Sequence, residues 1–434
     1  MPRAVVVGGG LAGLASAAAL GETGYEVDLY EARPFLGGRA TSYPLNDNSE
    51  EVIDNCQHVL LRCCVNLLDF YRRLGVEGKV AFHREFHFVE PGGRISTLKR
   101  GALPAPAHFA GAFLRMPMLG LAEKAAIARG LLAIRREYAR REDLDRITMA
   151  EWLAEKRQPP RAVERFWRQV LVSAVNEELD RMAAGHGLQV FQLGFLAQSD
   201  SCEMGIPAAP LGELYNAEAW KRFPSVRLHT RTPVERVAVR GGRVRGVSAG
   251  GSETGAETVI LAVPFERAAA LAPEAGLCFD GWEHSPITGI HLWFDRPVTS
   301  LPHGTLLDRT IQWFFNKREG RYLQIVVSAS RSLLSMPRQE VIELAVRELG
   351  EFLPETRRAR IEKAHVVKEA RATWSAKPGL EATRPGPRTR IEGLYLAGDW
   401  IRTGWPATME GAVRGGYLAA EAVSGNRFLA PDVS

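Results

Sequence analysis

The hydrophobic pattern is clearest at the start of the chain. Residues 4–7 are a short apolar, mostly β-branched run; three glycines follow at 8–10, then an alanine-rich stretch over 11–21 and a second strand-like segment over 25–30. This order predicts strand, helix, strand, a βαβ unit of about thirty residues. Further along, helical spacing over 56–74 is followed by strand runs at 82–89 and 94–98 flanking Pro91-Gly92-Gly93, a hairpin signal. Residues 105–170 read as mostly helical, interrupted at Pro159-Pro160, and the composition turns rich in Gly, Pro and Ala at 205–210. Short strands are expected at 226–228, 234–239 and 244–247, a buried strand at 258–263 stopped by Pro264, and strands at 289–294 and 322–328. A helix over 341–349, a Pro/Arg-rich linker over 376–390, a last buried strand at 394–397 and a last helix at 409–422 complete the pattern.

With 434 residues the chain is long enough for two or three domains. Hydrophobic residues at 46% and charged residues at 24% exclude a disordered chain or a coiled-coil rod. A net charge of +5 is mild over this length: it suits an anionic cofactor or anionic lipid headgroups and gives no case for nucleic acid as a partner. The five cysteines, Cys56, Cys63, Cys64, Cys202 and Cys278, are odd in number and contain no C-x-x-C pair, so neither a disulfide framework nor a metal site is expected. No signal-peptide pattern opens the sequence and no run reaches the length of a membrane span, so the expected location is the cytoplasm.

Candidate chemistry concentrates at the two ends. Gly8-x-Gly10-x-x-Gly13 sits between the first strand and the first helix. Gly8 fits a tight turn, Gly10 admits a pyrophosphate close to the backbone, and Gly13 lets the helix lie against the strand. The second strand ends in Glu31, placed to accept hydrogen bonds from ribose hydroxyls, and Gly37-Gly38-Arg39 follows. No second Gly-x-Gly-x-x-Gly occurs, which speaks against a separate nicotinamide domain. Near the C-terminus, the strand before Gly398-Asp399-Trp400 and the helix opening at Trp405-Pro406-Ala407-Thr408-Met409 supply a carboxylate and a helix N-terminus.

These three pieces resemble the FAD-dependent amine oxidase and phytoene desaturase superfamily over nearly the whole chain. The resemblance implies an α/β fold: a discontinuous Rossmann-like FAD-binding domain (1–75, 205–275 and 385–434) and a mixed α+β substrate domain (76–204 and 276–384), helix-rich with an antiparallel sheet. It implies non-covalent FAD held by Gly8, Gly10, Leu11, Ala12, Gly13, Glu31, Ala32, Gly37, Gly38, Arg39, Val234, Gly398, Asp399, Ala407, Thr408 and Met409. Arg414-Gly415-Gly416 departs from the Ser-Gly of many relatives, which bears on local helix packing.

The segments D-N-C-Q-H-V-L (54–60), H-L-W-F-D-R-P (291–297) and G-W-P-A-T-M-E-G-A-V (404–413) are similar to the bacterial squalene-associated branch of this superfamily. That likeness implies an isoprenoid lipid substrate, hydroxysqualene reduced to squalene by reduced flavin, with an unidentified electron donor reloading the cofactor. Loss of an allylic hydroxyl requires an acid. Asp54 and His58, four residues apart, would share a face on a helical turn and are the two candidates. In the bland alternative Asp54 caps a helix starting near Cys56 and His58 is structural. Glu203 and His291 are further possibilities. Oxidative desaturation, amine oxidation with Trp405 as one wall of an aromatic pair, and non-redox prenyl binding remain alternatives. Residues 107–134 read either as the core of a helical domain or as a patch lying on the inner face of the cytoplasmic membrane.

Overall fold

The computed structural model describes residues 1–45 and 51–433. Strands β1 (Arg3–Val7), β2 (Glu26–Tyr30), β3 (Val226–His229), β4 (Val259–Leu261) and β5 (Leu394–Leu396) form one parallel sheet in the order β3-β2-β1-β4-β5. Three distant stretches of sequence therefore build one layer. Five helices frame the functional regions: α1 (Leu11–Glu22), α2 (Val65–Leu74), α3 (Ala110–Arg115), α4 (Leu121–Glu137) and α5 (Met409–Ser424). α1 is buried from Leu11 to Leu20, which explains its alanines: covered on every side, it keeps no polar stripe. α5 crosses α1 at Gly416, where a Cβ would stand 2.3 Å from the Ala12 carbonyl oxygen. The Ser16 hydroxyl donates to the Gly416 carbonyl at 2.9 Å across the same contact.

A second, seven-stranded sheet runs in the order Ile361–Trp374, His284–Phe294, Tyr322–Ser328, Trp313–Asn316, His303–Leu306, Glu85–Val89, Ile95–Lys99. Its pairs are antiparallel except the one joining His303–Leu306 to Glu85–Val89. The helix Arg338–Phe352 covers one face, with Val341, Ala345 and Leu349 in the same apolar cluster as Ile290, Leu292 and Phe314.

Three expectations change, and one strand is added. The helix expected from residue 56 begins at Val65, because residues 55–61 are used in tertiary pairing: Asn55 bonds back to residues 39 and 41, and Leu60–Leu61 pair with Met204 and Gly205. The run 82–89 divides into Val80–His83, which pairs with Met204–Pro207, and Glu85–Val89, which enters the large sheet. The 376–390 linker is an anchored strut, since Arg384 within it is wholly buried. Ile361–Trp374, the longest strand among the described residues, has no clear strand signal, because Glu, Lys and Ala fill a half-exposed edge.

Candidate active site

The first glycine motif is a cradle defined by sterics. Gly8 has φ +110°, and a Cβ there would stand 2.4 Å from the Ala262 carbonyl oxygen. A Cβ at Gly13 would meet the Gly8 carbonyl oxygen at 1.9 Å. Gly10 is open by contrast, with only the Gly38 Cα within 4 Å, and a Cβ on Gly38 would reach 2.9 Å from the Gly10 Cα. The two glycine segments thus face each other, joined by the Gly37 N–H donating to the Gly9 carbonyl at 2.8 Å. α1 starts at this gap with no side-chain cap and no acid in its first turn. The N–H groups at Leu11, Ala12 and Gly13 are therefore left for an anion.

Glu31 leaves β2 beside the cradle, accepting from the Gly9 N–H at 2.7 Å and the Arg33 N–H at 2.8 Å. Ala32 beside it is exposed. The Thr232 N–H donates to the Glu31 carbonyl at 2.9 Å, which brings the buried Val234 alongside. The Val234 carbonyl accepts from Arg267 at 3.0 Å.

The C-terminal pieces close on the same region. Asp399, buried just after β5, pairs with Arg39 at 2.6 Å, and Arg39 also donates to the Ala372 carbonyl at 3.0 Å. The Asp399 carbonyl accepts from Trp374 Nε1 at 3.1 Å and from Arg384 at 3.0 Å. Arg384 further bonds the Trp405 carbonyl at 2.9 Å, the Thr403 hydroxyl at 2.8 Å, the Glu381 carboxylate at 2.5 Å, and the Ile401 carbonyl. Its guanidinium thereby fixes the loop from Gly398 through Ala407. The Thr408 hydroxyl caps α5 by accepting from the Gly411 N–H at 3.0 Å, placing Met409 in the first turn. A Cβ on Gly415 would lie 2.2 Å from the Gly398 carbonyl oxygen, so α5 can approach this loop only with glycine there.

Arg414 is buried and donates to the Thr403 carbonyl at 3.0 Å and to Asp432 at 2.8 Å. Asp432 also accepts from Trp405 Nε1 at 2.9 Å, so Trp405 packs against the C-terminal tail and is not an exposed wall for an amine. Glu410 is buried and caps the start of α2, accepting from the Asn66 side chain at 2.8 Å and the Leu67 N–H at 2.7 Å. Burial pushes its carboxyl up to about 7 despite these donors.

Asp54 and His58 are not on a helix, and neither helical reading of them holds. Asp54 ends the short strand Val52–Asp54; its carboxylate accepts from the Ser42 hydroxyl at 2.6 Å and the Leu211 N–H at 2.9 Å. Both donors fall on one carboxylate oxygen, Oδ1, which makes Asp54 a buried brace. Half-buried His58 holds Nδ1 3.0 Å from the Cys56 carbonyl, with the Arg39 backbone also in hydrogen-bonding range. Burial pushes its pKa down, opposed by the two backbone groups and Asp54. Cys56 packs against Phe315 and Val326, and burial pushes its thiol up to about 12. The segment 54–58 therefore lies between the Gly37-Gly38-Arg39 turn and a face of the large sheet, where Cys56 packs on Phe315 and Val326.

The other two possibilities do not serve as acids. Glu203 is neutralised by Arg62, at 2.9 and 2.7 Å, and by Arg84 at 3.2 Å. His291 lies wholly buried beneath residues 55–56 with Nδ1 2.7 Å from the Tyr322 hydroxyl, and burial lowers its pKa to about 3. Lys317 is the residue that the sequence reading missed. Its half-buried ammonium acts electrostatically on Asp54, Cys56, His58 and His291, and burial lowers its pKa. No local motif marks it, since it follows a strand more than 250 residues from Asp54.

A parallel sheet with a glycine cradle, an acid on the second strand and a chain end returning to the cradle defines a dinucleotide-binding oxidoreductase. The family model for flavin-containing amine oxidoreductases matches residues 11–424, and the chain belongs to that family. It is 31% identical over 435 residues to a hydroxysqualene dehydroxylase of Rhodopseudomonas palustris, covering 96% of this chain and 97% of the relative. It is 26% identical over 462 residues to a 15-cis-phytoene desaturase of Solanum lycopersicum, covering 96% and 77% of the two chains. Among solved structures, an oxidoreductase from Methanosarcina mazei superposes with TM-score 0.72 at 20% identity, over 98% of this chain and all (100%) of the other. The protein is thus a flavin-dependent oxidoreductase with the fold expected from its sequence.

Proposed function

We propose that this enzyme binds FAD non-covalently and reduces hydroxysqualene to squalene, releasing water. The observation that carries this reading is the end-to-end similarity to a hydroxysqualene dehydroxylase, which spans 96% of the chain and includes residues 54–60. The cradle fits the cofactor: Gly38 faces Gly10 so closely that a Cβ on Gly38 would strike the Gly10 Cα, and the start of α1 is uncapped. Gly8, Gly10, Leu11, Ala12 and Gly13 would take the pyrophosphate; Glu31, Ala32 and Val234 the adenosine half; Gly37, Gly38, Arg39, Gly398, Asp399, Ala407, Thr408 and Met409 the flavin half. The segment from Gly398 to Met409 contains neither Cys nor His to form a covalent link, and the raised pKa of Cys56 keeps its thiol unreactive.

Reduced FAD, when bound, supplies a hydride to the carbon that loses its hydroxyl. The chain's part is to deliver a proton to that hydroxyl, so that water leaves. Asp54 is braced through Oδ1 by Ser42 and Leu211, and we assign the proton to half-buried His58, whose Nδ1 is held by the Cys56 carbonyl. Its neighbour Lys317 makes the imidazolium a stronger acid by like-charge repulsion.

The desaturases among the relatives support a second reading, in which oxidised flavin removes hydride from a polyene. Product analysis by mass spectrometry separates the two. Anaerobically reduced enzyme with hydroxysqualene is expected to yield squalene, with flavin reoxidised in equal amount. Oxidised enzyme that desaturates phytoene or squalene, together with reduced enzyme inert toward hydroxysqualene, would contradict the proposal.

A further inference from the structure

The stretch over residues 107–134 resolves into two faces. On α4, Ala126, Ile127, Gly130 and Ile134 are buried, and Lys124 turns inward to the Leu114 carbonyl at 2.8 Å. The opposite arc of the helix holds Leu121, Ala122, Ala125, Ala128 and Leu132, all exposed. α3 repeats the division. Phe113 packs edge-on to Phe166 at 5.7 Å, whereas Leu114 points out. The preceding loop, closed onto the turn just before α3 by the Gly101 N–H donating to the His108 carbonyl at 2.6 Å, adds exposed Ala102, Leu103, Pro104 and Pro106. Leu103, Leu114, Leu121 and Leu132 are 56, 62, 78 and 51% exposed, and no other part of the described surface gathers as many large apolar side chains.

Charge on this face is one-sided. Between residues 101 and 137 the exposed charges are Arg115, Arg129, Arg135 and Arg136, whereas Glu123 and Glu137 are half-buried and Lys124 is buried, in a chain whose whole net charge is +5. Arg115, Arg129, Arg135 and Arg136 are exposed, and none of them has an ion pair among the described residues. On α4, Arg129, Arg135 and Arg136 fall within or beside the arc of Leu121, Ala125, Ala128 and Leu132. Apolar side chains surrounded by unpaired guanidinium groups match an anionic bilayer surface: the leucines enter the acyl boundary and the arginines meet phosphates. A second copy of this chain is the poorer occupant, since a two-fold dimer through this face would set the same unpaired arginines against each other.

We propose that the 101–107 loop, α3 and the outward arc of α4 dock the enzyme onto an anionic lipid surface, as a peripheral protein. The reason for such docking rests on the isoprenoid reading above, since the substrate would be dissolved in that bilayer; the docking itself is tested without any turnover. No helix among the described residues is long and apolar enough to cross a membrane, so attachment would be by this face.

The test is co-sedimentation of flavin-loaded protein with vesicles of phosphatidylcholine alone and of phosphatidylcholine mixed with phosphatidylglycerol. Wild type is expected to bind the anionic vesicles, bind the neutral ones weakly, and lose binding as salt rises. The triple variant Leu114→Glu/Leu121→Glu/Leu132→Glu should bind about tenfold less or weaker still, with unchanged flavin absorbance and circular dichroism because all three positions are exposed. Leu334→Glu, at an exposed leucine elsewhere, should bind as wild type. Wild type that ignores both vesicles, a triple variant that binds equally well, or a wild-type dimer that the triple variant dissociates would overturn the proposal. Turnover of detergent-dispersed hydroxysqualene is measured in parallel: its failure would count against the proposed reaction and leave the vesicle result standing.

Discussion

The ammonium of Lys317 lies within electrostatic reach of His58, and its effect has a definite sign. A nearby positive charge disfavours the imidazolium, so Lys317 lowers the His58 pKa beyond what burial does. An acid catalyst works in its protonated form, so the rate should fall as pH rises through that pKa. Lys317→Met removes the repulsion, and the falling limb of the kcat/KM profile should move to higher pH. His58→Asn should abolish the limb and slow the reaction by about a hundredfold or more. A limb that keeps its position in Lys317→Met would detach Lys317 from the proton, and one that persists in His58→Asn would detach His58. The residues legible from sequence alone are those whose role is set by local backbone. Gly8, Gly10 and Gly13 answer to a turn and a close approach within six residues of one another, and the structure finds Gly8 and Gly13 needed for space, with Gly10 left open at the gap. Asp54 was misread for the converse reason: its partners Ser42 and Leu211 lie on other segments, and spacing along the chain carries no trace of them.

Among the elements, the loop between β5 and α5 depends on one buried cation. Arg384 bonds three carbonyls of this loop, at Asp399, Ile401 and Trp405, and the Thr403 hydroxyl, from a strut that the sequence marks only as rich in Pro and Arg. Removing it leaves those buried carbonyls and the hydroxyl unpaired, at a cost of about 1–3 kcal/mol for each group left unsatisfied, and takes the partner from the partly exposed Glu381 carboxylate. Arg384→Ala should therefore lower thermal stability and weaken flavin binding by about tenfold or more, with partial recovery in millimolar guanidinium. Arg384→Lys, which keeps the charge and loses the planar fork, should fall between the two. Unchanged flavin affinity in Arg384→Ala would show that the loop holds its shape unaided. Element types were legible wherever period and burial agree: β1, α1, β2 and the strand Tyr322–Ser328 all carry their apolar runs inward. The strand Ile361–Trp374 escaped because an edge strand half in solvent has no reason to be apolar. α3 and α4 turn one face into the core, as the helical-domain reading has it, and the other to solvent, where the membrane reading is a proposal.

At the scale of the whole molecule, the chain's two ends are bound into one layer and one ion pair. β1 lies against β4, β4 pairs with β5, α5 crosses α1, and Arg39 meets Asp399 at 2.6 Å. That convergence makes the cradle, and it was readable only by setting motifs almost 400 residues apart side by side. It also places the 54–58 segment between the cradle and the large sheet, the arrangement on which the proposed reaction depends. The central claim is that both ends close on a single, freely dissociable FAD, and the most direct measurement is to denature the purified protein and quantify what it releases. FAD in the supernatant at one equivalent per chain, with a colourless pellet, is the predicted result. Protein that carries no flavin when supplied with FAD, or a pellet that retains the yellow chromophore, would contradict it.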